Sequence, residues 1–238
     1  MCLAVLQRIR TDCRTIDKIL DGGIPFESVS LIYGEAETGK TTLTMQCAIN
    51  CAEQGYKTLF IDCDGTFSAK RLSQMASEKF NKIAELIILM KPNNFHEQTL
   101  VIDQLTDYIA KNFGLVIIDT VTGLYRARVA ESPEKTFELN RELNRQMALL
   151  AQIAKTQKIS VLLTSQVRNV FDDAHVSIEP VATRVLKFWT DTIIAMKPTE
   201  NPQIIKAILE KSPKTKKAQP MTCYLEIGEK GIHEYLTH

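Results

Sequence analysis

The sequence predicts an α/β fold with a mostly parallel central sheet, flanked by helices and closed by a C-terminal antiparallel hairpin. Short apolar, β-branched runs alternate with longer amphipathic segments along most of the chain, the pattern of strand–helix–strand units with right-handed crossovers. Apart from Ser30 and Thr58, the first four of these runs are continuous in hydrophobic residues, as expected of central strands buried on both faces. After Met196 the texture changes, and two further apolar runs flank a polar stretch.

Taken in order, Val29–Tyr33, Thr58–Ile61, Leu86–Met90, Leu115–Ile118, Ser160–Thr164 and Thr192–Met196 read as strands. Helices are expected over Thr15–Leu20, Lys40–Glu53, Ala69–Lys79, Phe95–Asn112 and Pro133–Lys158. The last carries Leu139, Leu143, Met147, Leu150 and Ile153 at helical spacing, a stripe that reads as core packing. Gln203–Leu209 and Met221–Ile227 read as the strands of the hairpin, with Glu210–Pro220 between them.

The chain has 238 residues, 45% of them hydrophobic and 24% charged, enough to build a core without disulfides or a structural metal. No linker or repeat divides it, so one domain over 1–238 is expected, with a short N-terminal extension at 1–10. A net charge of +1 says nothing about partners, and any nucleic-acid argument must rest on local patches. The six cysteines form no C-x-x-C pair. Cys47 and Cys51 stand one helical turn apart and read as small buried hydrophobes rather than a redox pair. The absence of a signal peptide or membrane span leads to the expectation of a soluble cytoplasmic protein.

The strand Val29–Tyr33 runs into Gly34-Glu35-Ala36-Glu37-Thr38-Gly39-Lys40-Thr41, and a helical segment beginning at Thr42 follows. This is G-x-x-x-x-G-K-[ST] between a strand and a helix, the context that makes the motif informative. The loop's N–H groups and the positive end of the helix face an anion. The glycines allow backbone conformations closed to other residues and leave room for phosphate oxygens. Lys40 places charge on the β- and γ-phosphates, and the Thr41 hydroxyl can hold Mg²⁺. Residues 34–42 are therefore assigned to ATP, and Thr41 and Asp119 to Mg²⁺. Asp119 ends the apolar strand Leu115–Ile118, where such a fold holds the metal's water shell.

Phe60-Ile61-Asp62-Cys63-Asp64-Gly65 delivers two acids from another strand. Asp64 is read as the group that orients the attacking water, although both acids could instead cap the helix near Ser68. Gln166, following Ser160–Thr164, can sense the γ-phosphate and signal to the next loop. Lys40, Asp64 and Gln166 make up the candidate catalytic set.

The segment TDCRTIDKILDGGIPFESVSLIYGEAETGKTT, ending at Thr42, resembles the opening of the RecA-type recombinase core. IIDTVTGLYRAR (Ile117–Arg128) and LLTSQVRNVF (Leu162–Phe171) are similar to that family's magnesium-binding and sensor strands. EPVATRVLKFWTDTIIAMK (Glu179–Lys197) resembles the region after its second DNA loop, and CYLEIGEKGI (Cys223–Ile232) its closing strand. The likeness runs from Thr11 to Ile232 and implies a P-loop NTPase of RecA type.

Within the family, the short second DNA loop (Arg168–Pro180), the short stretch before the core and Trp189 in the strand after that loop most resemble the archaeal RadB paralogues. The resemblance implies ATP and DNA binding, weak ATPase activity, and an accessory role in DNA repair and homologous recombination, alongside the main recombinase or other repair proteins. The family has Glu where this chain has Asp64, one methylene shorter, so slow hydrolysis and a switch-like use of ATP are expected. The family's Phe-x-x-Ala assembly motif is matched in letters only by Phe171–Ala174, which reads as chance. A regulatory ATPase of circadian-clock type without a DNA role is the alternative function.

Three basic groups are candidate DNA contacts: Arg126 with Arg128, Arg168, and the cluster Lys211, Lys214, Lys216 and Lys217. They imply sequence-independent, salt-sensitive binding, single strands included. The lysine cluster reads equally well as a solvated turn. Tyr125 and Phe171 are the aromatic residues near these groups that could stack on bases.

Overall fold

The computed structural model describes residues 8–109, 111–172, 175–213 and 221–235. Every strand expected from the sequence forms. A nine-stranded sheet has the order β11-β10-β9-β8-β1-β5-β4-β2-β3. Here β1 is Ser28–Gly34, β2 Lys57–Asp62, β3 Ile87–Met90, β4 Phe113–Asp119, β5 Ser160–Ser165 and β8 Thr192–Pro198. These six pair in parallel. The antiparallel extension follows as β9 (Ile204–Lys211), β10 (Met221–Gly228) and β11 (Gly231–Glu234). The predicted hairpin is the β9–β10 pair, and β11 lengthens it by one strand.

Apolar residues leave the sheet alternately on its two faces and build two large clusters. One contains Ile32, Phe60, Ile117, Leu162 and Ile194, and the other Leu31, Leu59, Val116, Leu163 and Ile193. Strands β1 and β4 are buried at every position. The expectation of two-sided burial fails for β3. It is an edge strand, with Ile88 and Leu89 each 38% exposed. Its apolar run is too short to reveal where the strand lies in the sheet, which depends on crossovers rather than local composition.

Helix α2 spans Lys40–Glu53, as expected, and α1 spans Arg14–Ile19. Ala69–Ala76 forms α3, capped by the Ser68 side chain, with a 3₁₀ turn to Lys79 and α4 at Phe80–Ala84. The helix expected over 95–112 ends sooner. It divides into α5 (Phe95–Asp103) and α6 (Leu105–Tyr108), because Ile109 is already extended (φ −82°, ψ 112°) to feed β4. Next come α7 (Gly123–Glu131), α8 (Thr136–Gln157) and α9 (Thr183–Trp189). Trp189 thus closes a helix and does not lie in the following strand. Its indole Nε1 donates to Asn144 Oδ1 at 2.9 Å while the ring packs beside the core.

The second DNA-loop segment is also not a simple loop. β6 (Val167–Asp172) and β7 (His175–Pro180) form a separate antiparallel pair. Part of the Phe171–Ala174 letter match lies outside the described residues. Among the described residues no helix is long and apolar enough to cross a membrane.

Candidate nucleotide site

The phosphate loop leaves the C-terminal end of β1, beside the ends of β4 and β5, where parallel α/β sheets place their ligands. Its two glycines are required for different reasons. Gly39 sits at φ +81°, a left-handed conformation, and a Cβ there would also strike Ile232 and Ile227 at 2.8 and 3.0 Å. Gly34 has no such φ. A Cβ on it would fall 2.2 Å from the Met196 carbonyl of β8, so it keeps neighbouring strands in register rather than making room for phosphate.

Lys40 is buried, and its Nζ donates to the Glu35 carbonyl at 2.5 Å. Burial pulls its pKa down, while Asp119, Asp64 and Glu35 push it back up. The ammonium is thus held in a partly dry loop lined with exposed N–H groups, a setting that favours an anionic ligand.

Asp119 is completely buried. Its Oδ2 accepts from Thr41 Oγ1 at 2.7 Å and Thr66 Oγ1 at 3.2 Å, and its Oδ1 from Thr164 Oγ1 at 2.6 Å. Burial raises its pKa and these three hydroxyls lower it. Among the described residues it forms no ion pair. A buried carboxylate held by three hydroxyls, with no ion pair among the described residues, is a donor set that fits Mg²⁺, a hard ion that favours oxygen and keeps much of its water.

The two acids at and just beyond the end of β2 part company. Asp62 is structural: it accepts from the N–H groups of Thr66 and Phe67 at 3.0 and 3.1 Å and pairs with Lys91 at 3.4 Å. It therefore shapes the turn that presents Asp64. Asp64 is exposed, lines the pocket with Lys40, Thr41, Thr66, Thr120 and Gln166, and accepts from Gln166 Nε2 at 3.0 Å. The pocket holds about 340 Å³ and takes in Ala36, Glu37, Gly39 and Thr42. Thr38 is buried, its hydroxyl donating to the Glu35 carbonyl.

Several contributors carried no sequence signal. Thr66, in the connection between β2 and α3, and Thr164, on β5, hold Asp119 from two other segments. A Cβ on Gly123, the first residue of α7, would stand 2.4 Å from Asp64 Oδ1. Ile227 enters the pocket from β10. The turn after Ile227 is clasped by Arg71, whose guanidinium donates to the carbonyls of Gly228 and Glu229 at 2.6 and 2.9 Å. Behind the loop, Gln46 on α2 receives the N–H of Ile232 and donates to the carbonyls of Ile232 and Thr11.

The basic candidates are scattered. Arg126 and Arg128 ride on helix α7 rather than a loop. Arg126 Nη1 donates to Gln166 Oε1 at 2.7 Å, and Arg128 pairs with Glu131 at 3.0 Å. Lys211 is exposed but engaged, its Nζ donating to the carbonyls of Lys187 and Thr190 at the end of α9. Arg168 falls on β6 opposite Glu179, with its side chain outside the described residues. Lys214, Lys216 and Lys217 also lie outside them. Tyr125 is buried, its ring edge-on to Phe95 and its hydroxyl donating to Asn140, so it is not a free stacking surface.

The fold and site together define a P-loop ATPase fold of RecA type, a nucleotide-binding architecture. The chain belongs to the Rad51 family, whose profile matches residues 4–235. Its relatives bear out the likeness to the RadB branch. It is 35% identical over 185 residues to the DNA repair and recombination protein RadB of Methanobrevibacter smithii, covering 76% of this chain and 77% of that one. The protein of the same description from Methanosphaera stadtmanae is 30% identical, with 92% of each chain covered. A solved structure described as the RadB recombinase superposes with a TM-score of 0.81 at 31% identity, covering 96% of this chain and all of that one.

Proposed function

We propose that this protein binds ATP with Mg²⁺ and binds DNA in an ATP-dependent way, in support of repair and recombination. The convergence of Lys40 and Thr41 on one pocket, with Asp119 hydrogen-bonded directly behind Thr41, carries the nucleotide half of this reading. Lys40 would neutralise the terminal phosphates, and Thr41 with Asp119 would hold the ion, Thr66 adding a further hydroxyl. Bound there, Mg²⁺ supplies charge neutralisation across the phosphate oxygens. Gln166 and Asp64 face the same space, Asp64 as the base for an attacking water.

Hydrolysis is proposed to be slow. Asp64 is a short acid, packed against Gly123 and held by a hydrogen bond from Gln166, so it reaches less far toward an attacking water than a glutamate would. Extending it with Asp64→Glu should raise turnover, and Asp64→Ala should abolish what turnover exists. A wild type that turns over fast and is indifferent to Asp64→Ala would refute the assignment.

The DNA half is supported by the relatives' descriptions and by Arg126 beside the sensor residue, with Arg128, Arg168, Lys214, Lys216 and Lys217 as further candidates. The decisive experiment is a titration with a single-stranded oligonucleotide, with and without ATP and Mg²⁺, repeated on Lys40→Ala. Binding should strengthen with ATP in the wild type only and weaken steeply with salt. Absence of binding at low salt would remove the DNA role.

A further inference from the structure

We infer that the buried amide pair Gln98–Gln146 is a positioning device for the magnesium site, holding the turn after β4 in the conformation that sets Asp119. This rests on the reading of Thr41 and Asp119 as the residues that hold Mg²⁺. Both glutamines are completely buried, Gln98 on α5 and Gln146 on α8. Gln98 Nε2 donates to the Val121 carbonyl at 3.0 Å and to Gln146 Oε1 at 2.9 Å, and Gln146 Nε2 donates to Thr99 Oγ1 at 2.8 Å. Two acceptors face one end of the Gln98 amide, so that end must be the nitrogen. Its oxygen is left buried with no hydrogen-bond partner among the described residues. An apolar side chain would fill the same place without that cost, so stability alone does not account for the pair.

What the pair grips is strained. Thr120 stands at φ +60°, a left-handed conformation that is rare for a β-branched residue, and it lines the nucleotide pocket. Across the turn, Thr164 Oγ1 accepts from the Thr120 N–H at 2.6 Å and donates to Asp119 Oδ1 at 2.6 Å. The Val121 N–H donates to the Thr164 carbonyl at 3.0 Å. The strained residue and the magnesium-binding acid thus meet on one hydroxyl. Such conformations persist only where the surroundings over-determine them. Here β5 holds the N–H groups of the turn, and Gln98 holds its carbonyl. Without that second hold Thr120 can relax, its N–H leaves Thr164, and the Thr164 hydroxyl no longer fixes the Asp119 carboxylate. Gln98 and Gln146 touch neither ion nor nucleotide; they act through Val121 and Thr164.

The test compares wild type with Gln98→Met/Gln146→Met, with Thr120→Gly, and with all three changes combined. Methionine keeps the length of glutamine, and the paired change trades one buried orphan, the Gln98 oxygen, for another, the Val121 carbonyl. Its Tm should therefore stay near the wild-type value. Without nucleotide, amide hydrogen exchange across residues 120–123 should be at least about tenfold faster in Gln98→Met/Gln146→Met, while α2 exchanges as in wild type. A fluorescent ATP analogue should bind this variant as it binds wild type when Mg²⁺ is chelated. The Mg²⁺ concentration giving half of the metal-dependent binding should rise roughly tenfold, the scale felt when groups that orient metal ligands are lost. Glycine adopts φ +60° freely, so in the Thr120→Gly background the two methionines should move that midpoint by less than about twofold. Exchange at the wild-type rate overturns the grip on the turn. An unchanged midpoint overturns the inference and leaves the amides as packing, and equal shifts in both backgrounds overturn the part given to Thr120. Failure of the wild type to bind the analogue with Mg²⁺ instead overturns the magnesium reading, while the exchange comparison still decides whether the amide pair holds the turn.

Discussion

The two halves of the nucleotide site are built on opposite principles. Lys40 and Asp119 are buried, and Asp119 is gripped by three threonine hydroxyls from three different segments. Asp64 and Arg126 are exposed, and together with Gln166 they hold each other by two surface hydrogen bonds. Buried groups with several partners are set before a ligand arrives, whereas exposed pairs contribute little to stability and rearrange cheaply. The first half is made to bind and the second to be moved.

The harshest way to break this contrast is to remove the buried charge. Lys40→Ala should weaken ATP affinity by about a hundredfold or more, the scale on which loss of one partner of a buried charge pair is felt. Calorimetric titration measures it, and a loss of only twofold would show that the loop binds without its lysine. A milder change sharpens the other side. Gly123→Ala places a methyl group against Asp64 Oδ1 and should lower single-turnover hydrolysis roughly tenfold, since small displacements of a reacting group are costly. Its ATP affinity should stay at the wild-type value; an equal loss in both would show the two halves to be one unit.

Asp119→Asn separates binding from stability. Burial raises the Asp119 carboxyl, so the folded protein holds this proton more tightly than the unfolded chain. Its contribution is fully present below the unfolded carboxylate range and is lost as pH rises through the folded value. At neutral pH and without Mg²⁺-nucleotide, Asp119→Asn should therefore melt above the wild type, while failing to hydrolyse ATP. The gap should narrow as the pH is lowered, and a variant melting below wild type at pH 7 would contradict the argument.

A final comparison concerns thiols around the buried half. Cys13, Cys47, Cys51 and Cys63 are buried, and burial raises each pKa, Cys13 to about 12 and Cys51 to about 11. At pH 8 they should react with a soluble disulfide reagent at least about a hundredfold more slowly than in the denatured chain. Fast labelling of Cys47 or Cys51 on α2 would show that this half opens readily.

What could be read from the sequence follows the same division. The phosphate loop, Asp119 and the parallel strands were legible because each is a local pattern: a glycine spacing, or an apolar run ending in an acid. Asp62 and Asp64 were not separable, since capping and catalysis use the same residue type two positions apart, and only the direction of each side chain distinguishes them. Thr66, Thr164 and Gly123 act across strands and leave no local trace. The position of β3 at the sheet edge, and the engagement of Lys211 by the carbonyls at the end of α9, likewise depend on which segments become neighbours in space.

The clasp of the closing strand on the phosphate loop has a consequence for synthesis. Gly39 rests on Ile227 and Ile232, and Gln46 is bonded to the backbone of Ile232, 186 residues away. A nascent chain that has exposed its glycine-rich loop still lacks the wall behind it, and β1 lacks its neighbours β5 and β8 until those too have left the ribosome. Competence for nucleotide thus arrives late in translation, as a sign that the molecule is closed, and ribosome-stalled chains ending before β10 should emerge blind to ATP.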